Sequence, residues 1–265
     1  VAVKGYVDQL VTVSTVPPSA APARDGLVWS VVGPDWTPAS ITGLTAWFDP
    51  AQDVGTYVDG ESVGTYIEHS SYRREFIPIG GTPPTFRSNP PRLDFPYPPS
   101  AALACNAINL GPDGLTYVAV NQWADFANSP MLLVHGIAAD GWEMRHDGTA
   151  MQILERHGTY GIYFTHPTPE TPGTNNLHIL RIQSGVRTDA WVNGSLYQHD
   201  RTADAHNTPL TLYIGRSEGG YYYSGPVAEA LVFEGPVSDS DLTLLVDYLI
   251  AKHGLTFSFD SGATE

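Results

Sequence analysis

The stretch MLLVHGIAADGWEMRHDGTAMQILERHGTYGIYF (131–164) decides the fold class. Its strand-sized apolar runs, 131–139, 141–146, 150–156 and 160–164, are joined by AADG, HDGT and RHGTYG, segments short enough for hairpin connections. Four consecutive antiparallel strands are the expected result. Downstream, HILRI (178–182), DAWVN (189–193), LTLYIG (210–215) and VAEALVF (227–233) continue the pattern. Asn193-Gly194 between two of these runs predicts a type I′ turn, because both residues tolerate positive φ. Upstream, ITGLTAWFDP (41–50) marks the start of the body, and apolar runs alternate with Gly, Asn, Asp and Pro turns from there to about residue 236. Regular short strands with frequent turn signals predict an all-β, antiparallel two-sheet sandwich.

Composition agrees. With 265 residues and 42% hydrophobic content, the chain can bury one large core. Its 26 Gly and 22 Pro are dispersed, and charged residues make up only 15%, which suits many short strands. The formal net charge of −15 would repel phosphate backbones and anionic lipid surfaces, which argues against nucleic-acid and membrane-surface roles. Cys105 is the single cysteine, so no intrachain disulfide can form; its setting, LACNAI, reads as that of a buried small hydrophobe. No run of about 18 apolar residues exists, so no membrane-spanning helix is expected. VAVKGYVDQLVTV (1–13) does not read as a signal peptide, so work outside a cell would require another exit route, such as lysis.

Two segments flank the sandwich. Residues 1–40 read as an extended docking arm that includes the Pro-rich linker TVPPSAAPAR (15–24). At the other end, VSDSDLTLLVDYLIAKHG (237–254) sets Leu242, Leu245, Val246, Leu249 and Ile250 on one stripe of a helix expected over 238–253. Ser238 is its N-cap and Gly254 its C′ residue; Val237 and Leu242 are placed for a hydrophobic staple. Asp239 and Asp241 suit the positive end, Lys252 and His253 the negative end. This helix is expected to lie over one edge or end of the sandwich, followed by a tail over 256–265.

Residues 41–255 resemble the concanavalin A-like, laminin-G-type jelly roll, in the version found on bacterial surfaces and in phage virion proteins. The resemblance is carried by GLTAWFDPA (43–51), PPTFRSNPPRLDF (83–95), LTYVAVNQW (115–123) and the pair LHILRI (177–182) and DAWVNGSLYQ (189–198). LTLYIGRSEGGYYYSGPVAEALVFEGPVSDSDLTLLVDYLIAKHG (210–254) is its most specific piece. In DGESVGTYIEHSS (59–71) the EHSS turn departs from the family's DxSG pattern. An arm ahead of such a domain is similar to what tail and capsid accessory proteins of bacteriophages carry, where it docks into a larger assembly.

Some relatives of this fold cleave polysaccharides with paired carboxylates. Here Glu229 stands between alanines without an acidic neighbour two positions away, and Glu143 has Arg145 there, so the pairing fails and no enzyme is expected. His135, His146 and His157 recur at equal spacing, yet successive turns reverse direction, so at most the first and third share an end. No cofactor is expected. Calcium suits this fold class better than zinc, with Asp125 and Asp140 as candidate loop ligands, although no DxDxDG-type run occurs.

Exposed aromatics are the remaining signal, because sugar rings stack on them. In YYY (221–223), strand alternation would send Tyr221 and Tyr223 to one face and Tyr222 to the other. Trp123, Trp142 and Tyr160 are further rim candidates. The resulting expectation is a non-enzymatic virion protein, a minor tail or capsid decoration component. It would anchor to other virion proteins through residues 1–40, form a homo-oligomer, and meet host surface glycans through Tyr221, Tyr222, Tyr223, Trp142 and Trp123. The alternatives are a free, extracellular or cell-surface carbohydrate-binding adhesin, and a polysaccharide hydrolase of the same fold.

Overall fold

The computed structural model describes residues 36–96, 102–108, 112–123, 131–137, 140–147, 150–157, 160–170, 173–199, 210–215 and 223–261. The first strands are β1 (Leu44–Phe48), β2 (Tyr66–Ile67), β3 (Glu75–Ile79), β4 (Thr85–Ser88) and β5 (Pro91–Phe95). Then come β6 (Ala102–Ile108), β7 (Gly114–Asn121), β8 (Met131–Ile137), β9 (Asp140–Asp147), β10 (Ala150–His157) and β11 (Tyr160–Pro169). The series closes with β12 (Asn176–Gln183), β13 (Arg187–Val192), β14 (Ser195–His199), β15 (Leu210–Ile214), β16 (Gly225–Glu234) and helix α1 (Asp239–His253).

All these strands pair antiparallel, in two eight-stranded sheets. The first has the order β14-β13-β12-β7-β16-β5-β4, with β1 also paired to β16; the second runs β11-β10-β9-β8-β15-β6-β3-β2. The four-strand meander read from 131–164 is β8 to β11 of the second sheet. Its register puts His157 opposite Tyr160 and His146 opposite Met151, at opposite ends of β10.

Alternation along the strands builds two cores. Tyr117 and Ala119 of β7, Leu180 and Ile182 of β12 and Val232 of β16 point inward to meet Leu103, Met144, Ile153 and Leu212 of the other sheet. Cys105 belongs to this core, where burial pushes its thiol pKa up. The intervening residues, Val118, Val120, Leu177, Ile179, Leu231 and Phe233, point outward and are covered by Leu242, Leu245, Val246 and Leu249 of α1. The helix therefore lies across the face of the first sheet, not on an edge or end as expected. An apolar outer face needs a cover, and the helical stripe supplies it. Each of those four side chains contributes roughly 1.5–3 kcal/mol by burial.

The helix ends match their sequence signals. The Ser238 hydroxyl accepts the Asp241 N–H at 3.1 Å and bonds the Asp241 carboxylate at 2.8 Å, while Gly254 adopts φ 63° and donates its N–H to Ile250 O. Under the N-terminal turn, the guanidinium of Arg181 on β12 donates to Asp189 at 2.8 Å, to Val237 O at 3.1 Å and to Asp239 at 2.5 Å. In the EHSS turn the buried Glu68 carboxylate accepts N–H groups of Trp47 at 2.9 Å, Ser70 at 2.5 Å and Arg74 at 2.9 Å. One buried acceptor thus gathers the turn.

Packing reaches past both expected boundaries of the body. Trp36 lies 5.6 Å from Tyr248 between ring centroids, and Phe257 and Phe259 pack on the outer cluster. The Trp191 indole donates to Asp260 O at 2.7 Å. Residues 1–35, most of the expected arm, lie outside the described residues.

The Asn193-Gly194 turn connects β13 and β14 with φ 49° and 81°, as predicted. A Cβ at Gly194 would come within 2.1 Å of Ser258 O. Backbone strain and this clash act together, so Gly194→Ala is expected to destabilise the domain by about 1–3 kcal/mol. A thermal melt within about 1 °C of wild type would contradict that.

At the edge where β11 and β14 approach, the His166 Nε2–H donates to Ser195 O at 2.9 Å and Nδ1 accepts the Thr168 N–H at 3.2 Å. Acceptance at Nδ1 requires a neutral ring. Desolvation by burial is the main cause holding the imidazole pKa below 6.5. The unfolded chain therefore binds a proton that the folded chain refuses, and stability falls as pH drops through 6.5 toward the depressed folded value. Urea unfolding at pH 7.5 and 5.5 should show this loss, reduced in His166→Asn; equal loss in both proteins would assign the effect elsewhere.

Candidate functional site

Residue 229 falls on a bulge in the β16–β7 register, between Val227 and Glu229. Val227 faces the inner core and Ala228 the helix-side cluster; Glu229 follows Ala228 to the helix side, and alternation resumes with Ala230 inward. The fully buried Glu229 carboxylate accepts the Trp47 indole N–H at 2.8 Å. Its other oxygen meets Lys252 Nζ at 2.8 Å and His253 Nε2 at 2.7 Å, both from the last turn of α1.

Lys252 has further partners. Its ammonium reaches Asp49 Oδ1 at 2.7 Å and the Tyr248 hydroxyl at 2.9 Å. Burial alone would push the Lys252 pKa down; the carboxylates of Glu229 and Asp49 outweigh it and hold the pKa above the usual value. Asp49 also accepts Ala51 N–H at 3.2 Å and Gln52 Nε2–H at 2.9 Å. The cluster is a closed clasp between β1, β16 and α1.

A cleft of about 140 Å³ opens beside the clasp. Its apolar lining is Ala51, Pro90, Pro91, Pro226 and Ala228; its polar lining is Arg92, Gln122, Asn175, Lys252 and His253. Gln122 Nε2–H donates to Asn175 Oδ1 at 2.8 Å, which orients the two amides as a pair. Arg92 Nε–H donates to Asp94 at 2.7 Å. Gln122 follows β7 and Asn175 precedes β12, so two adjacent strands fix the pair from one end of the sheet.

Three of the aromatic residues expected at the rim, Trp123, Trp142 and Tyr223, are placed otherwise. Trp123 and Tyr223 are fully buried and Trp142 is 2% exposed, all three in the inner core, so no ring face is open to a sugar. The alternation argument fails for Tyr223 because β16 begins only at Gly225. Its ring packs against Trp123 at 5.2 Å, its hydroxyl lies 2.5 Å from Gln122 O and 2.7 Å from Pro226 O, and burial raises its pKa. The Trp123 indole donates to Glu170 at 2.6 Å, beside His178 Nε2 at 2.8 Å from the same carboxylate oxygen. Polar partners inside the core explain why such amphipathic rings can be buried. Tyr221, Tyr222 and Asp125 lie outside the described residues, as do the side chains of Asp140 and Tyr160. Among the described residues, no group of three His, Cys, Asp or Glu side chains is arranged to hold a metal ion. The sequence carries no ligand signal at the five polar cleft residues; Lys252 and His253 stand out in it only as partners of the helix dipole.

The layered core and strand order define a two-sheet, all-β jelly roll with one covering helix. No protein-family model matches the chain, and no curated protein matches it. Among solved structures, the binding domain of botulinum neurotoxin DC in complex with rat synaptotagmin II aligns with a TM-score of 0.57 at 8% identity, covering 78% of this chain and 52% of that one. A structure titled for botulinum neurotoxin type C and its interaction with two ganglioside molecules gives 0.55 at 8% identity, covering 81% and 52%. Domain 4 of a GH43 extracellular arabinanase from Geobacillus stearothermophilus, in complex with arabinotriose, gives 0.55 at 11% identity, covering 77% of this chain and 98% of that one. The chain thus spans about half the length of the neurotoxin chains it matches. At such identities the shared property is the fold.

Proposed function

We propose that this domain is a non-enzymatic saccharide-binding module whose ligand sits in the cleft beside Arg92, Gln122 and Asn175. The observation that carries the reading is the oriented Gln122–Asn175 amide pair in a cleft also lined by Pro90, Pro91 and Pro226. Polar groups for hydroxyls beside an apolar surface for ring C–H faces is the chemistry of sugar recognition. Support comes from the fold it shares with a domain in complex with arabinotriose. The non-enzymatic part rests on Glu229 and Asp49, both of which are held by Lys252. A carboxyl clamped to an ammonium is ill suited to deliver a proton to a glycosidic oxygen.

Titration calorimetry of the full chain against a panel of oligosaccharides tests the reading. Saturable binding weakened by Asn175→Ala is expected; release of reducing ends from a polysaccharide would overturn the non-enzymatic part. In its finer form the proposal places the module in a bacteriophage virion, as a homo-oligomer anchored through residues 1–40 and turned toward host glycans. The resemblance of that arm to those of tail and capsid accessory proteins supports this setting. Mass spectrometry of purified particles should find the chain, and its occurrence only as a free secreted or cell-surface protein would favour the adhesin instead.

A further inference from the structure

We infer that the cleft takes one neutral sugar unit and discriminates against carboxylate-bearing sugars; this rests on the saccharide-binding reading above. Arg92, Lys252 and His253 at its wall invite the opposite conclusion, that an anion binds there. Their partners argue against it. An ammonium has three hydrogens, and those of Lys252 are directed to Asp49 at 2.7 Å, Glu229 at 2.8 Å and Tyr248 at 2.9 Å. No donor is left for a ligand, and two carboxylates offset the charge. His253 bonds the same Glu229 oxygen at 2.7 Å. Arg92 is paired with Asp94, which also accepts from Arg87 at 2.9 Å. Lys252, Arg92 and Arg87 are thus balanced by Glu229, Asp49 and Asp94, on a chain whose formal net charge is −15.

The amide pair points the same way. With one Gln122 Nε2 hydrogen donated to Asn175 Oδ1, the carbonyl oxygen of Gln122, its second amide hydrogen and the amide nitrogen of Asn175 remain for a ligand, one acceptor among donors. Neighbouring hydroxyls satisfy both kinds, because each can donate and accept. An ionised carboxylate only accepts, so it can take the amide hydrogens but leaves the Gln122 oxygen without a donor. Size limits the occupant as well. About 140 Å³ is well below the roughly 300–1,000 Å³ of sites that enclose drug-sized ligands, so a chain end or single branch fits better than an oligosaccharide run.

The test uses the full chain and matched probes that differ only in the carboxylate: methyl galactoside against methyl galacturonide, methyl glucoside against methyl glucuronide, and the arabinose and mannose methyl glycosides. At least one neutral probe should bind, with little dependence on salt. Its uronic counterpart, where one is in the set, should bind at least about tenfold more weakly. Asn175→Ala, at an exposed position, should reduce neutral binding by about tenfold with an unchanged melting curve. Equal or tighter uronide binding that falls steeply with salt would overturn the neutral assignment and leave the saccharide-binding reading standing. Neutral binding unaffected by both Asn175→Ala and Arg92→Ala would move the site out of this cleft. Binding of no member of either the matched set or the oligosaccharide panel would overturn the saccharide-binding reading itself.

Discussion

Glu229→Ala is expected to lower the unfolding free energy by about 3–5 kcal/mol, with a melting temperature lower by on the order of 10 °C. The carboxylate is fully buried and touches three donors from two other elements: the Trp47 indole on β1 and Lys252 and His253 on α1. Removing it strands the indole N–H and leaves the Lys252 ammonium, 20% exposed, with Asp49 as its remaining carboxylate. Breaking one side of a buried pair costs far more than the net worth of the pair, because the partner stays desolvated. Glu229→Gln keeps an acceptor and should cost less. Urea unfolding of both variants measures the effect. A loss under about 1 kcal/mol for the alanine variant would mean that water reaches the clasp. A stable Glu229→Gln protein that has lost a cleavage activity present in wild type would instead favour the hydrolase alternative.

The second large effect is expected at Arg181. Its side chain is 2% exposed, and its guanidinium ties Asp189 on β13 to Val237 O and Asp239 at the start of α1 while lying 5.1 Å over the Trp191 ring. Arg181→Ala leaves the Asp189 carboxylate buried with Arg187 Nε at 3.1 Å and Gln198 Nε2 at 3.2 Å as its remaining donors. A loss of about 3–5 kcal/mol is expected. Hydrogen exchange should locate it: amides near the start of α1 should lose protection before those of β7. Replacing both partners, Arg181→Met with Asp189→Leu, should recover much of the loss, because no charge is then left buried. If the double variant is less stable than Arg181→Ala, the pair contributes net stability and the desolvation argument fails here.

The local signals in the sequence proved readable wherever a few neighbouring residues specify the geometry. Asn193-Gly194 predicts its turn because positive φ is a property of those two residues, and Ser238 with Asp241 and Gly254 predicts both helix ends in the same way. The placement of α1 was less visible, although LTYVAV (115–120) held a clue. A strand with one solvated face alternates apolar with polar residues; here every position of β7 is buried, because the second sheet covers one face and the helix the other. Chemical type misled at Trp123, Trp142 and Tyr223, since rings that could stack on sugars also fill cores when their polar atoms find partners. The clasp could not be read at all: Trp47 and Glu229 are 182 residues apart, and only the fold brings them together.

Because α1 follows every described strand, the outer face of the first sheet lacks the helix while the earlier segments leave the ribosome. Until residues 239–253 emerge, Val118, Val120, Leu177, Ile179, Leu231 and Phe233 present a greasy surface to whatever else the nascent chain meets. A stop codon placed just before Asp239 would preserve every described strand and still be expected to yield insoluble protein. A cell that makes this domain therefore has reason to complete each copy quickly or to shelter it with a chaperone until the helix arrives.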